Sequence, residues 1–337
     1  MQQPIITASF AGLVDLASER LGGKALATSD DFFAEKENLL KAGRGVFIAD
    51  KYTDRGKWMD GWESRRKRVP GHDWCIIRLG VPGVVRGVDI DTNHFLGNHP
   101  PYASIEGCIV EGVNADEKVL SEQNWTQILA KSPLNAGSQN LFTITAEQAF
   151  THLRLNIYPD GGVARFRVYG DVVAQWRPVA GADLVDLVAV ENGGRAVACS
   201  DMFFSNMQNL IMPGRSENMG DGWESRRRRG PGHDWVILAL GHQGTIECIE
   251  VDTNHFKGNY PDRCSIEACY APGQSIDALN WPQFDWQEIL PQTKLEAHAR
   301  RNFGTELTAH GPFTHVRLNI YPDGGVSRLR IHGRIAS

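Results

Sequence analysis

Between Asp60 and Trp74 the chain reads DGWESRRKRVPGHDW, placing Glu63, Arg65, Arg66, Arg68, His72 and Asp73 between two tryptophans. A planar guanidinium meets a carboxylate with two parallel N–H donors, so these arginines suit a small anionic substrate, while Glu63 and His72 are groups able to move protons. The competing reading is structural: Arg65 or Arg66 pairs with Glu63, Asp73 or the acids of another domain. Further on, DIDTNHFLGN brings Asp91, Asn93, His94 and Asn98 to the end of the alternating run Val88, Ile90, Thr92, where side chains leave a strand for a loop. His94 fits a general acid or base, a metal ligand with Asp91, His72 and Glu106, or a packed histidine satisfied by Asp91. No spacing here is diagnostic of an ion, so no cofactor is firmly expected and a divalent metal stays open. Arg154 and Asn156 lie on the polar side of HLRLNIY, which is either the solvent face of a sheet or part of a site. A glycine-rich phosphate loop, a G-x-S-x-G elbow and an HExxH pair are all absent.

The elements that position these groups read as mostly extended. HLRLNIY alternates, with Leu153, Leu155 and Ile157 one way and His152, Arg154, Asn156 and Tyr158 the other. PDGG supplies turn chemistry and VARFRVY alternates again, predicting a hairpin over His152 to Tyr169. DWCIIRLG and VVRGVDIDT predict two further strands. Helices are expected only over DDFFAEKENLLKA, after a Ser29/Asp30 cap, and over NWTQILAKS, with Asn124 as cap.

Almost all of this occurs twice. DGWESRRRRGPGHDW spans Asp221 to Trp235 and differs from the first copy only at Arg228 and Gly230. DTNHFKGNYP (Asp252 to Pro261) repeats DTNHFLGNHP, and HVRLNIYPDGGVSRLRIHG (His315 to Gly333) repeats His152 to Gly170. A repeat length of about 160 residues is that of a duplicated domain rather than a solenoid unit. Domains are expected over 1–175 and 176–337, with a linker over Gly170 to Ala182. The first copy is about ten residues longer between Leu40 and Asp60 than its counterpart between Ile211 and Asp221, a surface excursion. Many short strands with few helices point to an all-β chain of two tandem jelly-roll sandwiches.

The 337 residues carry a net charge of −5, with 42% hydrophobic and 22% charged residues, which fits a folded soluble protein and gives no general reason for a nucleic-acid partner. The RRKR run is read as a folded loop because tryptophans and a Pro-Gly turn bracket it. No membrane span is expected, and six cysteines without zinc spacing are read as reduced thiols of a cytoplasmic protein.

The doubled motifs DGWESRRKRVPGHDW, DTNHFLGN and LNIYPDGG resemble those of the allantoicase family, over roughly Gly12 to Gly333. The resemblance implies hydrolysis of allantoate, a small anion, to (S)-ureidoglycolate and urea in purine degradation. It also implies galactose-binding-like jelly rolls, a soluble location and homo-oligomerisation. The chemistry then calls for a carboxylate clamp, ureido recognition and proton transfer. The expected clamp is Arg65 or Arg66 with Arg154, ureido recognition falls to Asn93, Asn98 and Asn156, and proton transfer to His94, Glu63 and His72. The second copy offers Arg226, Arg227, Arg317, Asn254, Asn259, Asn319, His255, Glu224 and His233 in the same order, with Asp252, His255 and Glu267 as its metal set. Two equivalent sites, one shared site and a site between subunits all remain open, as does hydrolysis of a related ureido acid. A tandem β-sandwich module that binds without catalysing is the rival of a different class.

Overall fold

The computed structural model describes residues 10, 12–110, 120, 122–174 and 184–336. The chain forms two compact units, Met1–Val173 and Ala174–Ser337. The expected linker lies outside the described residues from 175 onward.

In the first unit the strands are β1 (Val14–Asp15), β2 (Lys24–Thr28), β3 (Tyr52–Thr53), β4 (Gly56–Lys57), β5 (Trp62–Glu63), β6 (Asp73–Asp91), β7 (Tyr102–Cys108), β8 (Thr126–Pro133), β9 (Leu141–Thr143), β10 (Ala149–Tyr158), β11 (Gly162–Val163) and β12 (Arg165–Val172). The second continues with β13 (Val185–Asp186), β14 (Arg195–Cys199), β15 (Trp223–Glu224), β16 (Asp234–Asp252), β17 (Arg263–Cys269), β18 (Gln287–Lys294), β19 (Arg300–Phe303), β20 (Phe313–Tyr321), β21 (Gly325–Val326) and β22 (Arg328–Ile335). Hydrogen bonds order the first unit β1-β12-β6-β10-β7-β8, with β2 and β9 also on β6; the second repeats this as β13-β22-β16-β20-β17-β18, with β14 and β19 on β16.

The key element is the 19-residue β6. Sequence reading expects two strands here; the structure makes one, bent in the middle. Its first half pairs with β10 (Trp74 with Asn156, Arg78 with His152) and its second half with β12 (Val88 with Val168, Asp91 with Arg165). Gly80 permits the bend, because a Cβ there would stand 2.5 Å from the Leu21 carbonyl oxygen. Each half therefore pairs with a different neighbour within one hydrogen-bonded sheet. Both ends of β6, and the loops that meet them, gather at one end of the unit.

The expected hairpin over His152 to Tyr169 does not form. Strand β6 runs between β10 and β12, and the PDGG segment instead sends Gly162 and Val163 to pair with Glu63 and Trp62. Both helix expectations also fail. Only a 3₁₀ turn over Lys36–Leu40 stands in the first, beginning at Glu35 without a side-chain cap, while Asp30 accepts from the Phe32 and Arg65 amides. Thr126–Pro133 is a strand because the edge of β7 is open to pair with it, and pairing outweighs local helix preference.

Leu153, Leu155 and Ile157 are fully buried with Cys75, Ile77, Ile105 and Phe166, as their alternation predicts. Each such side chain contributes about 1.5–3 kcal/mol. The opposite face of β10 is not a solvent face, however: His152 and Asn156 are buried as well. A second apolar layer of Ile76, Cys108, Val110 and Leu120, flanked by Leu26, Trp74 and Trp125, covers it. Its counterpart in the second unit includes Ile237, Cys269 and Ile276 beside Trp235, Trp281 and Trp286. His152 and His315 each bond a neighbouring threonine hydroxyl, and burial, aided by repulsion from Arg78 or Arg195, pushes both imidazoles down to about 4.

The length difference is narrower than the sequence suggested. Arg44 pairs with Asp91 as Arg215 does with Asp252, and the Val46 and Glu217 amides bond Asp60 and Asp221. The extra residues therefore follow Val46, where β3 and β4 form a hairpin of their own.

Candidate active site

Most of the repeated basic motif is internal architecture. Asp60 Oδ2 accepts the Arg165 Nη2 donor at 2.8 Å, and Asp221 does the same for Arg328 at 3.1 Å. Trp62 and Trp223 are fully buried, and their indole N–H groups bond the carbonyls of Asp30 and Asp201 at 2.8 Å. The Arg65 guanidinium is held by Asp30, with Nε at 2.7 Å, and stacks on Phe32. Burial would raise the Asp30 carboxyl, but the bonds from Arg65 and Phe32 hold it below its ordinary range. Arg226 stacks on Phe203, its amide bonding Asp201. Lys67 Nζ donates to the buried Asp73 at 2.7 Å, and Arg228 to Asp234. Arg66 and Arg227 are exposed and make no ion pair among the described residues.

Glu63 and Asn98 come together, with Asn98 Nδ2 donating to Glu63 Oε1 at 2.6 Å; Asn259 and Glu224 do so at 2.5 Å. Burial raises the Glu63 carboxyl above its ordinary range, against the pull of the Asn98 bond. Gly162 positions this pair: its amide bonds the Asn98 carbonyl at 2.8 Å while its backbone pairs with Glu63.

Asp91, Asn93 and His94 form a separate group. Arg44 bonds both Asp91 oxygens at 2.9 and 3.0 Å, and Asn93 donates to the Gly45 carbonyl at 3.0 Å. His94 sits at φ 68° and His255 at φ 69°, a left-handed backbone that a histidine adopts only under tertiary constraint. The His94 ring lies 5.5 Å from Phe47. The His255 ring contacts the Ser216 carbonyl at 2.9 Å, its amide bonds His298 Nδ1 at 2.8 Å, and Asn254 bonds Ser216. The suggested metal sets are not assembled: Asp91 is taken by Arg44, while Glu106 stands on β7 against Arg154, as Glu267 does against Arg317. Among the described residues no three His, Cys, Asp or Glu side chains are grouped to hold a metal.

The densest convergence is on the covered outer face of the sheet. Register places Arg154 opposite Glu106, Asn156 opposite Ser104 and Tyr158 opposite Tyr102. Arg154 Nε and Nη2 donate to Glu106 Oε2 at 2.8 and 2.7 Å, and Asn156 Nδ2 to the same oxygen at 3.0 Å. Three N–H donors thus fix one carboxylate oxygen and leave Oε1 for another partner. Tyr158 bonds Ser104 at 3.0 Å, the His72 ring lies 4.7 Å from Tyr158, and Arg154 lies 4.8 Å from the Trp125 ring.

The second unit rebuilds this arrangement. Arg317 Nε donates to Glu267 at 2.7 Å and Asn319 Nδ2 to the same carboxylate at 2.7 Å, with His233 stacked 4.7 Å from Tyr321 and Trp281 beside Arg317. Two buried polar atoms here have no hydrogen-bond partner among the described residues: Asn156 Oδ1 in the first unit and Arg317 Nη1 in the second. Such atoms are rare in folded chains, and each calls for a partner. In the second unit Asn319 Oδ1 meets His233 Nε2 at 3.3 Å.

The sequence points to Arg154, Asn156 and His72, places Tyr158 on the same face, offers Glu106 only as a metal ligand, and gives no role to Ser104 or Trp125. The repeated SIE of ASIEGC and CSIEAC was the available signal for Glu106 and Glu267.

A family model described as the allantoicase repeat matches residues 14–173 and 185–336. Relatives include a probable allantoicase of Pseudomonas aeruginosa (strain LESB58), 53% identical over 327 residues and covering 97% of each chain. Another, from Pseudomonas fluorescens (strain SBW25), is 51% identical over 98% of each. Among solved structures, allantoicase from Saccharomyces cerevisiae superposes with a TM-score of 0.81 at 35% identity over 98% of each chain. A second allantoicase structure gives 0.79 at 36% identity, covering 95% of this chain and 93% of that one. With its model matched over both repeats and relatives this similar along the full length, the chain belongs to the allantoicase family.

Proposed function

We propose that this chain hydrolyses allantoate to (S)-ureidoglycolate and urea, at the outer-face cluster of each repeat. The observation that carries the site assignment is the doubled Arg–Glu–Asn group, with its buried unpartnered atoms beside an imidazole and a phenol. Allantoate carries one carboxylate and two ureido groups on a single carbon. Arg154 and Arg317 receive the carboxylate, and Asn156 and Asn319 pair with ureido groups, whose N–H donors also suit the open oxygens of Glu106 and Glu267. His72 and His233 take a proton from the attacking water. As the C–N bond breaks and the C–O bond forms, the departing nitrogen takes a proton from Glu63 or Glu224 and leaves as urea. Burial suits Glu63 to this role because it keeps the carboxyl protonated to higher pH.

The remaining loop groups support these. Asn98 and Asn259 hold the acids, Arg66 and Arg227 draw the anion in, and Arg65, Arg226, Asn93 and Asn254 brace the loops. His94 and His255, each within its own repeat, hold the loops that follow β6 and β16. No step runs through a metal.

Free thiols at all six cysteines fit a reducing compartment, so we place the chain in the cytoplasm, and the family resemblance implies a homo-oligomer. Among the described residues no helix is long and apolar enough to cross a membrane.

Incubation with allantoate, with and without chelator, tests the reaction: urea and ureidoglycolate should appear together in both, and no urea in either sinks the assignment.

A further inference from the structure

The second unit contains a cavity whose lining includes none of the outer-face group. It holds about 330 Å³ and is lined by Asp186, Arg215, Glu250, Asp252, Arg300 and Arg330, with His332 beside them. That volume lies at the small end of ligand pockets, about 300–1,000 Å³.

Its ion pairs are long. Arg215 and Arg300 stand 3.5 and 3.7 Å from Asp252, Arg300 stands 3.4 Å from Glu250, and Arg330 stands 3.6 Å from Asp186. Asp252 is fully buried, yet its Oδ2 has no hydrogen-bond partner among the described residues, and neither has the buried Nη1 of Arg330. An unmet buried carboxylate oxygen is costly, so its retention calls for a partner.

The first unit holds the matching aspartate differently. Thr92 and Thr253 bond the carbonyls of Ser138 and Ala299, which makes Gln139 the counterpart of Arg300. Gln139 donates to Asp89 at 2.7 Å, and Arg44 grips both oxygens of Asp91 at 2.9 and 3.0 Å. Both oxygens of Asp91 are met there, although Asp89 Oδ1 has no hydrogen-bond partner among the described residues and Arg167 stands 3.5 Å from Asp15. In the second unit donors and acceptors stand apart, with cations at the mouth, where Arg215 and Arg300 are half exposed, and acids within.

We propose that this cavity binds a small carboxylate carrying a ureido or amide group, as a second ligand site present in only one of the two repeats. A simple anion would leave Asp252 and Glu250 unmet, and a simple amide or amine would leave the arginines unmet. A ureido acid supplies N–H donors to the carboxylates and oxygens to the guanidinium groups within one small molecule.

The test is calorimetric titration of the full chain with hydantoate, the simplest ureido acid, against acetate and urea alone. Hydantoate should bind saturably both to the parent and to the Arg154→Ala/Arg317→Ala chain, with acetate and urea at least tenfold weaker. Arg300→Gln, which installs the residue of the first repeat, should weaken hydantoate at least tenfold while the unfolding temperature stays unchanged. Binding indifferent to Arg300→Gln, binding lost with the outer-face pair instead, or no saturable binding overturns the proposal. Urea release from allantoate is a separate readout, so failure of the proposed reaction would not be mistaken for failure of this site.

Discussion

Replacing the first residue of the doubled motif, by Asp60→Asn or Asp221→Asn, tests whether the motif is chiefly an anchor. Asp60 Oδ2 accepts Arg165 Nη2 at 2.8 Å and the Val46 amide at 2.9 Å, and the two side chains are 10% and 4% exposed. Asparagine keeps the shape and removes the charge, leaving the Arg165 cation buried without its counter-ion. Breaking a buried pair from one side costs about 3–5 kcal/mol. Arg165 Nη1 keeps the carbonyls of Asp60 and Ala164 at 3.1 and 2.7 Å, so the low end applies. For a unit of this size roughly 3 kcal/mol corresponds to about 6–12 °C in unfolding temperature. The Asp221–Arg328 pair is 2% exposed on both sides, so Asp221→Asn should cost at least as much. Acidity adds a second check. Burial would raise the Asp60 carboxyl, but the Arg165 and Val46 bonds hold it below its ordinary value. A depressed carboxylate contributes stability that is present above the unfolded pKa and is lost as pH falls through the lower folded one. The parent should therefore lose this increment in acid, and Asp60→Asn should show no such step. Scanning calorimetry of both variants, with the exposed Arg66→Ala as control, reads all of this. Unfolding temperatures within the control's shift for both asparagine variants would refute the reasoning.

Three further outcomes follow from the same geometry. Asn98→Ala removes the bond that lowers the Glu63 carboxyl, so the alkaline limb of the kcat/KM profile for allantoate should move to higher pH. His152 and His315, pushed down to about 4, bind fewer protons folded than unfolded, so thermal stability should fall as pH drops from 6.5 toward 4; a His152→Gln/His315→Gln chain should flatten that dependence in a pH series of melts. Gly162→Ala would drive a Cβ to 2.0 Å from the fully buried Phe95 ring, costing about 1–3 kcal/mol or more, and should lower kcat/KM as well because Gly162 pairs with Glu63.

What could be read in advance was what depends on period and repetition. Leu153, Leu155 and Ile157 alternate because one side of β10 meets the main core, and the duplication is visible residue by residue. What could not be read depends on pairing at a distance. Nothing local says that β6 will pass between β10 and β12, so two alternating runs joined by PDGG looked like a hairpin. The polar side of β10 could be a solvent face or a site because the tryptophans that cover it, Trp74 and Trp125, lie far away in sequence. For the same reason a dense run of arginines suggested a clamp, whereas Arg65 is engaged by Asp30, thirty-five residues upstream. The carboxylate–guanidinium pair of the outer face lies across neighbouring strands, Arg154 with Glu106, and only register reveals it.

The central claim is that allantoate is hydrolysed at the outer-face cluster of each repeat. Its most direct test is urea release by the parent, by Arg154→Ala and Arg317→Ala singly, and by the two combined, with folding checked by melting. Each single variant should keep roughly half the parent's turnover, and the combined variant should fall by about 10²–10³, the scale of losing an oriented charged donor. A folded double variant that releases urea at the parental rate would contradict the account.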